Sequence, residues 1–360
     1  MSKLKVAFLT IFDTGIAPNQ RYRIESFTNN NNNTPFAFTY FCVVKHTDIS
    51  VFYGKSILKK IALAFTIILR RFLHLFYVTK FDVVFVARET IPFGSYFFEF
   101  VIKKILRKKL VYDFDDAIWI KKVSEGNKKF SFLKSAGKYA KIIKLADVVI
   151  AGNSFLASYA NKYNSNVHIV PSCIDLELYK VKQKTDSEKI CIGWSGSETT
   201  LAHLLSIEDV LKKIQLLYGE EVYFKVISNR DDFKLPGLNV QSVKWNAHNE
   251  SKDLEDFDIG IMPLFNDEWS KGKCSMKGIQ YMGKGIATVM SNIGTNNEVI
   301  QHGTNGLLVN SFDEWIQCLS LLIDDKHLRK KLGDAGRITI EQKYSIQAWE
   351  ATWIKLIISK

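Results

Sequence analysis

Cysteine is scarce in this sequence: Cys42, Cys173, Cys191, Cys274 and Cys318 are the five among 360 residues. Their odd number and the lack of any C-x-x-C spacing exclude a disulfide framework and a structural zinc site, and fit a reducing compartment. The start, MSKLKVAFLT, runs straight into a strand-like stretch with no long apolar signal region and small-residue cleavage site. A cytoplasmic location is the expectation. Long uncharged apolar runs are missing as well. The apolar core Ile61 to Leu69 lies between the basic pairs Lys59-Lys60 and Arg70-Arg71; that is too short to cross a bilayer and suits a helix lying on one. Zinc-finger spacing, an RNP-like aromatic signature and an Arg-rich tail are all absent, so nucleic acid is not expected as a partner.

What is present is positive charge, unevenly placed. The net charge is +12, yet residues 1–180 hold 27 Lys+Arg against 13 Asp+Glu, while the rest of the chain holds 22 against 24. Much of the excess lies in KKIALAFTIILRRF (59–72), KKILRKKL (103–110) and KSAGKYAKIIKLAD (134–147). Each mixes apolar and basic residues as a helix with one greasy and one cationic face does. Two readings stand: helices that cover a sheet and keep their lysines in water, or a surface that docks on an anionic membrane.

A chain of 360 residues with 47% hydrophobic content exceeds one typical domain. Short β-rich runs alternate with helical patterns, the mark of parallel sheets covered on both faces. KVAFLT, FAFTYFCV, DVVFVA, KLVYDF and DVVIAG form a first set. After the polar stretch KVKQKTDSEK, a second set follows with KICIGWSG, EVYFKVIS, DIGIMPL, IATVM and GLLV. The expected architecture is α/β, with two Rossmann-like doubly wound domains facing across a cleft at the carboxyl ends of their strands. The boundaries read as 1–178, a linker at 179–188, a second domain at 189–343, and a final helix at 344–360 that returns towards the first domain. The tract Asn29 to Asn33 belongs to an exposed loop.

Two features of the second half carry chemistry. ICIGWSGSETT presents a strand, a small-residue turn and hydroxyls beside the first amides of a helix, so Gly193, Gly196, Ser197, Thr199 and Thr200 make a nest for phosphate oxygens; a ligand-free helix cap is the alternative. Lys271, Lys273 and Lys277 gather in the stretch before IATVM with no acid among them. Three ammonium groups so close together repel unless water screens them or an anion lies between them. At the carboxyl ends of neighbouring strands, the amides and ammonium groups would converge on one pocket.

An ordered set of segments then resembles the GT-B glycosyltransferases of family 4 (group 1). ADVVIAGNSFLASYANKY with VHIVPSCIDLELY is similar to the passage between their domains. FDIGIMPL, QYMGKGIATVMSNIGTNNEVI and HGTNGLLV resemble successive pieces of their nucleotide-sugar domain, and YDFDDAIW recurs in a subset. The resemblance implies a hexosyltransferase that retains anomeric configuration and takes a nucleoside diphosphate sugar as donor, with no metal and no cofactor. It implies a glycan or lipid-linked glycan acceptor and cell-surface polysaccharide biosynthesis; with the basic N-terminal half, the expected location is peripheral, on the inner face of the plasma membrane. The sequence departs from the family where a pair of glutamates is usual: Gln280 stands at the second position and Gly272 at the first. The Arg and Lys that often follow the first strand are also missing from GWSGSETT. Lys271, Lys273 and Lys277 become the candidate diphosphate partners with Gly196, Ser197 and Thr199. Gln280, Glu298 and Trp245, with His248 nearby, are assigned to the nucleoside and sugar. Glu268 is a candidate for the missing first glutamate or a plain surface acid. Asp113, Asp115 and Asp116 end a strand of the first domain. Asp115 and Asp116 are candidates for orienting an acceptor hydroxyl or acting as base, or for pairing with Arg21, Arg23 and Arg88 on the acceptor side. The missing glutamates motivate an alternative, a catalytically silent binding or scaffolding subunit of a polysaccharide assembly complex.

Overall fold

The computed structural model describes residues 3–29, 34–120, 137–181 and 189–359. Asn30 to Asn33 of the Asn tract, residues 182–188 of the expected linker and residues 134–136 of the third basic run fall outside them. The chain divides into two compact units, Met1–Ser172 with Glu350–Lys360 and Cys173–Trp349.

In the first unit, β1 (Leu4–Phe12), β2 (Phe36–Val44), β3 (Val83–Ala87), β4 (Lys109–Phe114), β5 (Val148–Ala151) and β6 (Val167–Ile169) form one parallel sheet. Their order is β2-β1-β3-β4-β5-β6. The chain reverses direction across the sheet between β1 and β3, and ligands of such sheets bind beyond the strand ends at that switch point. The central strands are apolar runs rather than alternating ones because both faces are covered; Val6 to Leu9 of β1 are fully buried. Trp353 is buried in the same core, its ring 4.9 Å from that of Phe27. Lys109 Nζ donates to the carbonyls of Leu356 at 3.2 Å and Ile357 at 2.8 Å, a cation against the closing carbonyls of a helix.

Helix α1 (Ile57–Val78) extends well beyond the nine-residue apolar core read from the sequence. It is long and apolar enough to cross a membrane by length and composition. It lies instead on the sheet, burying Leu63, Ile67, Arg71 and Val78. Arg71 corrects the expectation of a cationic outer pair. Its guanidinium is fully buried and donates to the carbonyls of Thr10 at 2.8 Å, Phe41 at 3.1 Å and Thr90 at 2.6 Å. Burial lowers its pKa to about 9, with Glu99 acting in the opposite direction. The planar fork of five donors is what lets a buried arginine satisfy several carbonyls at once. Arg70 also turns inward, donating to Val43 O at 2.8 Å and pairing with Asp48.

In the second unit, β7 (Ile190–Ser195), β8 (Val222–Ser228), β9 (Val240–Lys244), β10 (Ile259–Met262), β11 (Ala287–Ser291) and β12 (Leu307–Val309) form a second parallel sheet. The order β12-β11-β10-β7-β8-β9 is the dinucleotide-fold order, with its switch point between β7 and β10. Both are central, buried strands, and the loops that leave their carboxyl ends contain the small-residue turn and the lysine cluster. Helices seal the sheet. Two of them, Phe312–Asp324 and Lys326–Lys343, begin at side-chain caps: Ser311 Oγ accepts from Glu314 N and Asp325 Oδ1 from Leu328 N, as helix starts require.

Candidate functional site

Beyond β7 the chain turns at Gly196 because nothing larger fits. A Cβ there would sit 2.5 Å from the Trp194 ring and 2.7 Å from Thr200 Oγ1. Ser197 O then accepts from Thr200 N and from Thr200 Oγ1, both at 2.9 Å, while Ser197 Oγ and Thr199 Oγ1 lie 2.8 Å apart. The result is a rim of hydroxyls, with Ser197 and Thr199 exposed and Thr200 half-buried.

The loop after β10 is tied down residue by residue. Leu264 N donates to Ser291 Oγ at 2.9 Å and Phe265 N to His203 Nδ1 at 3.2 Å. Asp267 caps the turn Glu268–Lys271 through Ser270 N at 2.7 Å. Helix α2 (Met276–Gly283) begins at Ser275, a buried non-glycine residue with φ 52°. Its hydroxyl bonds Asn296 Oδ1 at 2.6 Å, an arrangement that holds the chain in a sparsely populated conformation. Gly294 (φ +55°) lets the turn before Glu298 lie against the Lys271 backbone, since a Cβ would come within 2.8 Å of it.

The structure brings Lys277 onto the hydroxyl rim. Its Nζ is 3.3 Å from Thr200 Oγ1 and 4.5 Å from the centroid of the Trp194 ring. Among the described residues no carboxylate pairs with it. Burial, with repulsion from Lys273 added, lowers its pKa to about 7. Lys273 lies over the Trp269 ring at 5.7 Å. Lys271 pairs with Glu268 on the surface, so these two predicted residues meet each other. Around Lys277 the structure therefore gathers an ammonium group, a hydroxyl rim and a π face.

Gln280 and Trp245 are joined through two residues that the sequence did not single out. Gln280 Nε2 donates to Tyr179 OH at 2.6 Å, Tyr179 OH to Glu250 Oε2 at 3.4 Å, and Trp245 Nε1 to Glu250 Oε1 at 3.0 Å. Gln280 is buried, Trp245 half-buried and His248 exposed. Glu298 is exposed in the first turn of Asn296–Val299, and its carbonyl accepts from Tyr344 OH at 3.2 Å. Trp194, the platform under Lys277, reads in the sequence as one more apolar strand residue.

The acids of the first unit separate into two sets. Asp113 closes β4 in the interior, where Arg23 donates to both of its carboxylate oxygens and to Val170 O. Both side chains are 2% exposed. Burial raises the Asp113 pKa despite Arg23. Asp115 and Asp116 lie beyond the strand and share one guanidinium: Arg88 Nε to Asp115 Oδ1 at 2.7 Å and Nη2 to Asp116 Oδ2 at 2.6 Å. Arg88 follows β3 directly with φ 62°, held by Tyr112 OH on its carbonyl at 2.8 Å and by its amide on Asp113 O at 2.7 Å. Burial opposes ionisation of Asp115, and Arg88 outweighs it, so its pKa lies below the ordinary range. Arg21 is half-buried, its guanidinium 5.2 Å from the Tyr22 ring. No cluster of three or more metal-ligating side chains occurs among the described residues.

Residues 206–325 match the family model described as glycosyl transferases group 1. The match covers a third of the chain, all of it within the second unit. No curated protein matches the sequence. Among solved structures, HepE from Anabaena in complex with UDP and glucose is similar at a TM-score of 0.70 and 12% identity, over 99% of this chain and 100% of that one. A glycosyltransferase from Rickettsia africae ESF-5 aligns at 0.68 and 14%, covering 100% of both chains. The apo form of WaaB, a lipopolysaccharide outer core galactosyltransferase, aligns at 0.62 and 16%, covering 99% of both. At these identities the likeness is one of fold, and that fold is GT-B, with two Rossmann-like units.

Proposed function

We propose that the chain is a glycosyltransferase that moves a sugar from a nucleoside diphosphate sugar to a glycan or lipid-linked glycan acceptor. The observation that carries this reading is Lys277: a half-buried ammonium on a π platform, beside a hydroxyl rim, with no carboxylate among the described residues paired to it. Leaving-group departure places negative charge on the donor diphosphate, and preorganised cations and donors aimed at that charge lower the barrier most. Lys277, with Lys273, supplies this charge and Ser197, Thr199 and Thr200 the hydrogen bonds, so no metal enters the step. Uridine is the first base to test, because HepE binds UDP and glucose in the same fold.

On the acceptor side, Asp115 and Asp116 orient a hydroxyl on the face the diphosphate leaves, so that its oxygen bonds the anomeric carbon as the bond to the diphosphate breaks and its proton passes to the departing phosphate oxygen. Arg88 keeps Asp115 ionised, which suits orientation and charge stabilisation better than proton abstraction near neutrality. The product retains configuration, as in the group 1 resemblance. The acceptor belongs to cell-surface polysaccharide assembly, and the excess of basic residues in 1–180 supports a peripheral position on an anionic membrane at the cytoplasmic face. Nucleic acid is not a partner.

The test is release of nucleoside diphosphate from a panel of nucleotide sugars, with and without a membrane lipid extract as acceptor source. Lipid-stimulated release from at least one donor is expected. Tight donor binding without release on any acceptor favours the silent subunit, a reading that Gly272 and Gln280 in place of glutamates keep specific.

A further inference from the structure

We infer that the outer face of α1 is an insertion surface that seats in the headgroup and acyl boundary of an anionic lipid bilayer. The inference rests on the membrane part of the proposed function and changes its physical basis from charge to apolar burial. Leu58, Ile61, Phe65, Leu69, Phe72 and Phe76 recur along α1 at steps of three and four residues, and all are exposed, Leu58 at 81% and Phe76 at 74%. That spacing makes one stripe, opposite the face that buries Leu63, Ile67 and Arg71. A second element widens it. The segment Phe97–Phe100, continued by Val101–Ile105, exposes Phe97, Phe100 and Ile105, and Phe97 lies 6.1 Å from Phe72, ring to ring. Soluble monomers rarely leave so continuous an apolar face in water.

Charge selects the occupant. α1 contains no acid, and the one acid of the second element, Glu99, is 1% exposed and accepts from Thr90 N and Thr90 Oγ1, both at 2.9 Å. Exposed Lys55, Lys59, Lys104 and Arg107 flank the face. An apolar stripe on two elements whose exposed charges are all cations fits acyl chains under anionic headgroups. A second copy of the chain would bring like charges together along both borders. A transmembrane α1 would strip Arg71 from the carbonyls of Thr10, Phe41 and Thr90, leaving a bare guanidinium in hydrocarbon. The helix therefore lies on the bilayer with its inner face still on the sheet.

The test is vesicle flotation of the full chain with phosphatidylglycerol-containing and pure phosphatidylcholine vesicles, at low salt and at about 1 M NaCl, where the screening length is about 3 Å. The wild type should float with the anionic vesicles under both conditions. F65S/L69S/F76S should lose about tenfold or more in both, with an unchanged melting temperature because these side chains are already in water. K55Q/K59Q/K104Q/R107Q should lose binding only at low salt. In a second readout, F65W should gain a fluorescence component, over the native tryptophans, that brominated acyl chains quench. Flotation that vanishes in high salt and is untouched by the triple Ser variant would show docking by charge alone and overturn the inference while leaving the membrane reading standing. A wild type that floats with no vesicle would overturn both. Self-association abolished by the triple variant, without flotation, would assign the face to a second copy.

Discussion

The Lys277 ammonium lies 4.5 Å from the centroid of the Trp194 ring and 3.3 Å from Thr200 Oγ1. A cation over an aromatic face is worth ~0.5–2 kcal/mol, which does not make up for the hydration an ammonium loses on burial. The lysine therefore gives up its proton easily, at about pH 7, through burial and then through Lys273. An anion bound beside Lys277 opposes both effects by favouring the charged form.

The first prediction is a pH dependence of its sign. A bound diphosphate favours protonated Lys277, so its pKa in the complex lies above that of the free protein. Affinity is then full below pH 7 and falls by up to about tenfold per pH unit above it, until the complex itself deprotonates. Ionisation of the ligand phosphate, complete by about pH 7, acts in the opposite direction and cannot imitate the fall. Calorimetric titration of UDP between about pH 6 and pH 9 checks this, and K277A should bind weakly with a flat profile.

G196A should damage the platform from below. The new Cβ meets the Trp194 ring at 2.5 Å and Thr200 Oγ1 at 2.7 Å, and both also contact Lys277. Overpacking of this kind costs about 1–3 kcal/mol, read by denaturant unfolding, and diphosphate affinity should fall with it. Retained affinity in a destabilised variant would separate Trp194 from the ligand.

D115N and D116N should lower transfer by about 10²-fold, the scale of a misplaced reactant, while UDP affinity stays unchanged. The reason is their place in the first unit around Arg88. A fall in melting temperature that matches the fall in rate would identify the Arg88 pairs as structural.

Arg23 and Asp113 predict a stability effect instead. The pair is almost wholly buried, and removing one partner of such a pair costs about 3–5 kcal/mol because the other is left charged and alone. R23A should therefore unfold at a markedly lower temperature. A stable R23A protein with weakened acceptor use would return Arg23 to the acceptor side.

The fold was legible where burial made it so. Val6 to Leu9 of β1 and Ile259 to Met262 of β10 read as strands because a sheet covered on both faces needs unbroken apolar runs. The short β6, Val167–Ile169, and the half-exposed edge strand β9, Val240–Lys244, carry a weaker pattern. Lysines without acids pointed to Lys277, but its platform did not show: Trp194 inside ICIGWS looks like any core aromatic until Gly196 lets the ring and Thr200 meet. Arg71 misled for the same reason. A basic residue in a helix ordinarily faces water, and the carbonyls that draw this one inward belong to Thr10, Phe41 and Thr90, remote in sequence.

The most direct test of the account is calorimetric binding of UDP and of uridine to the wild type and to K277A. If Lys277 is the diphosphate partner, the wild type binds UDP far more tightly than uridine, and K277A loses about tenfold or more for UDP, the scale of one charge-assisted hydrogen bond, with uridine unchanged. No preference of the wild type for the diphosphate, or an equal loss for both ligands in K277A, would contradict it.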